Sequence, residues 1–293
     1  MPASSKTKTQ AKILVLEAPS LVRIPWLTHG FSTRRGGHSL TYGRNTLNLG
    51  FTSHDTKAAV IRNRKGFAAS LSKHRGSTWE LVTVRQVHSD LIRLIDGIPR
   101  SPFAGDGLIT ATPGLLLGVL TADCFPVIVV DPKQRAIGVF HAGWRGTVKR
   151  IVEKGVGEMR KHFDSNPAQL RAAIGPGIRN CCYQVGPELR GIFEAQFAYG
   201  SELFRETKER NEIHERYPLL FLTARAPGHS ELPTKTFLDL AEANRRQLLD
   251  AGLSARNISD LGTCTSCNPE LFFSHRAERG RTGRMMAVVG IRE

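Results

Sequence analysis

Hydrophobic spacing changes character several times along the chain. From Asp55 to about Lys73, the residues Ala59, Val60, Phe67 and Leu71 recur on one helical face, with Ser53 or Asp55 placed to cap it. Between Leu81 and His141 the periodicity gives way to short apolar runs separated by Gly, Pro and Asp: 81–87, 91–95, 115–120, 127–130 and 136–140. Such runs predict buried strands. After Gly146, the residues Val148, Ile151, Val152, Met159 and Phe163 return to helical spacing, which Asn166-Pro167 stops. A helix is predicted after Pro187 through Leu189, Ile192, Phe193 and Phe197. A longer one carries Phe237, Leu240, Ala241, Leu248 and Leu249 and ends at Gly252, before a last strand at about 286–291. Strands concentrated in the middle with helices on either flank predict an α+β fold of mixed sheets. Residues 1–12 are polar and predict a mobile tail, and with no repeat and no Pro- or Ser-rich linker, residues 13–293 read as a single domain.

The chain has 293 residues, 40% hydrophobic and 23% charged, with 28 Gly and 15 Pro dispersed along it. This excludes collagen, coiled coil and wholesale disorder. No apolar run approaches the roughly 18 residues of a membrane helix, and Ile13-Leu14-Val15-Leu16 is too short for a signal peptide, so a cytoplasmic protein without a membrane partner is expected. The net charge of +15 invites a nucleic-acid partner, but the cations are spread out and aromatics make up only 7%. A solvated surface that attracts small anions fits better, so small molecules rather than nucleic acid are the expected partners.

Three of the central runs end in, or run just past, a residue that can ligate a soft or borderline metal: Gln86-Val87-His88, Thr121-Ala122-Asp123-Cys124 and His141-Ala142-Gly143-Trp144. If the strand ends share an edge, two imidazoles and a thiolate would form a three-ligand site with a fourth position open, the pattern of catalytic zinc. Taken singly, each reads more simply as a packed histidine or a small buried thiol than as a ligand. The same residues also allow Cys124 as a nucleophile with His141 as its base. Asp123 is a candidate orienting or proton-donating carboxylate. Arg34, Arg145, Asn48 and Asp106 surround the trio in sequence as candidate substrate contacts, the arginines for phosphate, helped by backbone N–H groups of a Gly36-Gly37 loop. Cys264-Thr-Ser-Cys267 lacks a second ligand pair of CxxC or HxxxH spacing, and the adjacent Cys181-Cys182 read as small semi-buried residues.

The ordered set His29-Gly30-Phe31-Ser32-Thr33-Arg34, Asn48-Leu49-Gly50, Gln86-Val87-His88, Gly105-Asp106-Gly107, Thr121-Ala122-Asp123-Cys124, His141-Ala142-Gly143-Trp144-Arg145-Gly146, Ile174-Gly175-Pro176-Gly177-Ile178, Tyr183-Gln184-Val185-Gly186 and Phe273-Ser274-His275-Arg276 resembles the YfiH or laccase-domain family. The resemblance runs from about Leu27 to Gly290. It implies a layered α/β/β/α fold shared with a toxin-type cysteine deamidase, and metal ligands at His88, Cys124 and His141. It further implies purine nucleoside phosphorylase activity on adenosine, inosine or methylthioadenosine, with adenosine deamination. Peptidoglycan-editing amide hydrolysis by Cys124 is the alternative, and polyphenol oxidation a third. A multicopper oxidase needs many more histidines, commonly in His-x-His pairs, and the ten here include no such pair. Zinc is therefore the expected ion, with copper allowed. Where many relatives carry Tyr, this chain has His275, which leaves substrate preference open. The oligomeric state is also open, a monomer included.

Overall fold

The computed structural model describes residues 12–72, 79–101, 103–208 and 234–293, so the expected tail lies outside the described residues except for Lys12. The chain forms two compact units, one from the residues up to Arg179 together with Leu240–Glu293, the other from Asn180–Asp239. The first junction follows the short Gly175-Pro176-Gly177 segment rather than a long Pro- or Ser-rich linker, which is why the sequence reads as one domain.

The first unit is built on two mixed sheets. One orders β1 (Val15–Leu16), β2 (Leu27–Ser32), β15 (Met285–Ile291), β7 (Leu115–Thr121) and β4 (Glu80–Thr83). The other orders β14 (Ile258–Asp260), β10 (Arg171–Ile174), β8 (Phe125–Asp131), β9 (Ala136–Ala142), β6 (Gly107–Thr110) and β5 (Ile92–Leu94). Their inner faces share one core, where Leu117, Val119, Ala287 and Val289 meet Ile128, Val130, Ile137 and Val139. Each of these Leu, Ile and Val side chains contributes about 1.5–3 kcal/mol when fully buried. Alternate residues of the first sheet, Leu116, Met286 and Val288, face the other way and cluster with Phe67 and Leu71 of α2 (Lys57–Leu71). Against the outer face of the second sheet packs α4 (Ile151–Phe163), with Val152, Val156 and Met159 buried. Gly155 lets α4 sit on the ring of Phe140, which a Cβ there would meet at 2.3 Å. The helix, sheet, sheet, helix order matches the layered fold expected.

Several local expectations shift. Thr56, not Ser53 or Asp55, caps α2, its Oγ1 accepting the Ala59 N–H. The helix expected after Gly146 is two, α3 (Trp144–Val148) and α4, parted by Arg150 with φ of 62°. Phe237 belongs to a strand, and the helix expected there, α6 (Leu240–Asp250), starts three residues later. The Gly36-Gly37 segment is not an open anion-binding loop but part of β3 (Arg35–Ser39). A Cβ on Gly37 would lie 2.2 Å from the Thr46 carbonyl oxygen, so glycine there serves close backbone approach.

In the second unit, β11 (Gln184–Val185), β13 (Thr234–Leu238) and β12 (Phe204–Lys208) form an antiparallel sheet in that order. The helix α5 (Pro187–Gln196) packs its Phe193 edge-on to Phe204, with ring centroids 5.9 Å apart. No helix among the described residues is long and apolar enough to cross a membrane.

Candidate metal centre

The three candidate ligands arrive by different routes. His141 is the penultimate residue of β9 and pairs across the ladder with Pro126 of β8. Cys124 immediately precedes β8, in the three-residue link by which the chain leaves β7 in the first sheet and enters the second. His88 follows β4, and its loop is held to β7 by Gln86, whose amide both donates to the Leu120 carbonyl at 2.8 Å and accepts its N–H at 2.7 Å. The side chain thereby continues the strand pairing where the backbone has stopped. One ligand atom from each of His88, Cys124 and His141 falls within 4.8 Å of the other two. The imidazole rings meet edge-on at 4.9 Å between centroids. His141 is buried, Cys124 half-buried and His88 exposed, so the cluster opens to solvent on one side.

A single buried carboxylate organises two of the three. Asp106 accepts the N–H groups of Val87 at 3.2 Å, His88 at 3.0 Å and Ser89 at 2.7 Å, together with the Ser89 hydroxyl at 2.7 Å. Its Oδ1 also lies 2.9 Å from His141 Nδ1. Burial alone would push the Asp106 carboxyl up, but the bonds from His141 and Ser89 hold it well below the usual carboxylate range. Burial likewise raises the Cys124 thiol, yet the charge of His141 and hydrogen bonds from both histidines overcome it and bring the thiol down to about 6. His141 responds in the opposite sense, since Cys124 and Asp106 outweigh its burial and lift it to about 9. Two nitrogens and a sulfur that ionises readily form a donor set suited to a borderline divalent metal.

Asp123, beside Cys124, has φ of 84°, a left-handed conformation uncommon outside glycine, and His88 is similar at 55°. Asp123 is buried, and its carboxylate is committed to the Thr265 hydroxyl at 2.6 Å and the Arg276 N–H at 2.7 Å. These contacts tie the Cys124 corner to the segments around 265 and 276, an arrangement in keeping with the orienting rather than the proton-donating of the two roles that the sequence offers.

The candidate substrate contacts divide. Arg145 is exposed, its guanidinium stacked 4.4 Å from the Trp144 ring centroid, and it has no ion-pair partner among the described residues. It lies two residues from Gly143, where a Cβ would come 2.9 Å from Cys124 Sγ and 3.3 Å from His88. Asp106 is fully buried and serves the ligands rather than a substrate. Asn48 is also fully buried, its amide used by Gly50, Asp55 and Arg284, so it braces a loop instead of meeting a ligand. Arg34 gives its terminal nitrogens to the carbonyls of Pro269, Phe272 and Tyr42 and to Glu278, beneath which it covers the Phe273 ring at 4.6 Å. That arginine is internal scaffolding, not a phosphate site. Ser89, Gln86, Thr265 and Gly143 complete the site, and their roles arise from contacts that no spacing in the sequence encodes.

The family model for multi-copper polyphenol oxidoreductase laccase matches residues 28–292. A Bacillus subtilis protein named purine nucleoside phosphorylase YlmD is 32% identical over 90% of this chain and 88% of its own length. A Deinococcus radiodurans protein named purine nucleoside phosphorylase is 34% identical over 94% and 92% respectively. Among solved structures, YfiH of Bacillus licheniformis superposes with a TM-score of 0.78 at 32% identity, covering 96% of this chain and 97% of that one. YlmD of Geobacillus stearothermophilus gives 0.75 at 32% identity, with the same coverage. With this match in sequence and in fold, the chain belongs to the multi-copper polyphenol oxidoreductase laccase family, in which YfiH and YlmD share its architecture.

Proposed function

We propose that the protein is a zinc-dependent purine nucleoside phosphorylase acting on adenosine, inosine or methylthioadenosine, with adenosine deamination as a companion reaction. The observation that supports it is the cluster of His88, Cys124 and His141, their ligand atoms within 4.8 Å, beside an arginine without an acidic partner among the described residues. The names of the relatives point the same way.

In phosphorolysis a phosphate oxygen bonds to C1′ of the ribose as the bond from C1′ to the purine nitrogen breaks. The electron pair passes to the purine, which takes up a proton. Arg145, exposed and four residues beyond His141, would offer the phosphate a planar pair of donors. Asp106 fixes the ring of His141 by taking its Nδ1 proton in a hydrogen bond, so that Nε2 faces the cluster. His88, Cys124 and His141 would hold the ion, which when bound acts as a Lewis acid toward substrate oxygen or water. The test incubates zinc-loaded protein with adenosine or inosine, with and without phosphate, and separates the products. Phosphate-dependent release of adenine or hypoxanthine supports the reading, as inosine from adenosine supports deamination; absence of both removes it.

One observation favours a second reading. Cys124, His141 and Asp106 stand in the spatial order of a thiol nucleophile, a base and an orienting carboxylate, with the thiol already lowered to about 6. This arrangement would suit an amide hydrolase acting on a cell-wall precursor. Chelation separates the two, because stripping metal abolishes the first activity and spares or raises the second.

A further inference from the structure

We infer that the first unit carries a second anion site, at the end of the β8–β9 hairpin opposite the metal centre, which takes the phosphate group of a small molecule. It is a groove bounded by the β8–β9 turn, the C-terminal half of α4 and the segment between α4 and β10. Lys133 enters it from the turn and Arg160 from the helix; both are exposed, and neither has an acidic partner among the described residues.

Two features have no explanation in the fold itself. Ser165 lines the groove and is 96% buried by its 4% exposure, yet its Oγ has no hydrogen-bond partner among the described residues. Buried hydroxyls in native proteins are nearly always paired, so this one marks a place where a partner is expected. Gly157 lies within α4 on its exposed side, where glycine weakens a helix relative to alanine. A Cβ there would meet nothing within 4 Å, so packing does not require the glycine. What its missing side chain provides is the open floor of the groove.

Basic residues in the last turn of α4 would by themselves be answered by the helix dipole, and Lys161 and His162 also face Glu158 at 3.7 and 3.1 Å. That account leaves Lys133, the Ser165 hydroxyl and Gly157 unexplained. Of the two carboxylates that line the groove, Asp131 is buried and spends Oδ1 on the N–H groups of Lys133 and Gln134, while Asp164 is exposed. Two unpaired cations, a hydroxyl and the amides of Gln134 and Gln169 make a donor-rich lining of the kind that receives phosphate oxygens.

Equilibrium dialysis of labelled inorganic phosphate against the metal-loaded protein tests this. Wild-type protein should bind phosphate at a site that Arg160→Gln weakens by at least about tenfold, the loss expected for one charged hydrogen bond. Gly157→Leu should fill the groove and remove the same site, whereas Arg145→Gln should leave it intact. Unchanged stoichiometry and affinity in both Arg160→Gln and Gly157→Leu would overturn the site. Competition with a nucleoside monophosphate identifies the source of the phosphate: tighter binding of the nucleotide means an esterified group, weaker binding means the free ion, and either supports the site.

Discussion

The Nδ1 atom of His141 and the Oδ1 atom of Asp106 lie 2.9 Å apart in a pocket where both side chains are almost wholly enclosed. The same carboxylate receives three consecutive backbone N–H groups from the His88 loop. One residue therefore sets both the ring orientation of one imidazole and the path of the chain that delivers the other.

Asp106→Asn should lower metal affinity by about 10–100-fold, as loss of an orienting carboxylate does elsewhere. It should also destabilise the protein by roughly 1–3 kcal/mol, because the amide nitrogen would face N–H donors that need an acceptor. A competitive chelator titration and urea unfolding check the two effects separately.

In metal-free protein the thiol and imidazole should behave as an ion pair across a defined window. The lowered Cys124 contributes stability that is complete above its unfolded value of 9.0 and is lost as pH falls through about 6. The raised His141 contributes stability that is complete below 6.5 and is lost as pH rises through about 9. The pair thus stands between about 6 and 9. Ultraviolet thiolate absorbance should titrate near 6, the transition vanishing in Cys124→Ser and moving upward in His141→Ala.

Gly143→Ala should impair the site while leaving the fold intact. The added methyl would approach Cys124 Sγ at 2.9 Å, closer than real Cβ contacts come, and one of the two must move. Metal content after dialysis should fall, and phosphorolysis with it, at unchanged far-ultraviolet circular dichroism. Full metal retention would show that the loop relaxes around the methyl.

The two arginines should separate in kinetics. Arg145→Gln should raise the KM for phosphate by roughly tenfold or more with little change in thermal stability, as expected for one exposed charge-assisted contact. Arg34→Ala should instead lower stability by roughly 1–3 kcal/mol, because it strands the carbonyls and the Glu278 carboxylate that it serves. Steady-state kinetics alongside thermal melts distinguish these outcomes.

Much of this is written locally in the sequence. The apolar runs at 115–120, 127–130 and 136–140 became β7, β8 and β9 because continuous hydrophobicity suits strands covered on both faces. The trio was legible because its members stand at or beyond strand ends. Arg34 and Asn48 were not, since the sequence shows a polar residue two positions before a glycine but not the carbonyls and amides that fold back to meet it. The Arg150 break and the left-handed Asp123 were equally hidden, as neither residue type announces its φ. The roles of Ser89 and Thr265 depend on partners 17 and 142 positions away in the chain.

The link from β7 to β8 is three residues long, and it crosses from one layer of the sandwich to the other with the cysteine at its far end. His88 hangs from the first layer and His141 from the second. An ion gripped by all three would act as a rivet through the sandwich, so its departure should show as faster amide exchange along β7 and β9 together, well beyond the residues that touch it.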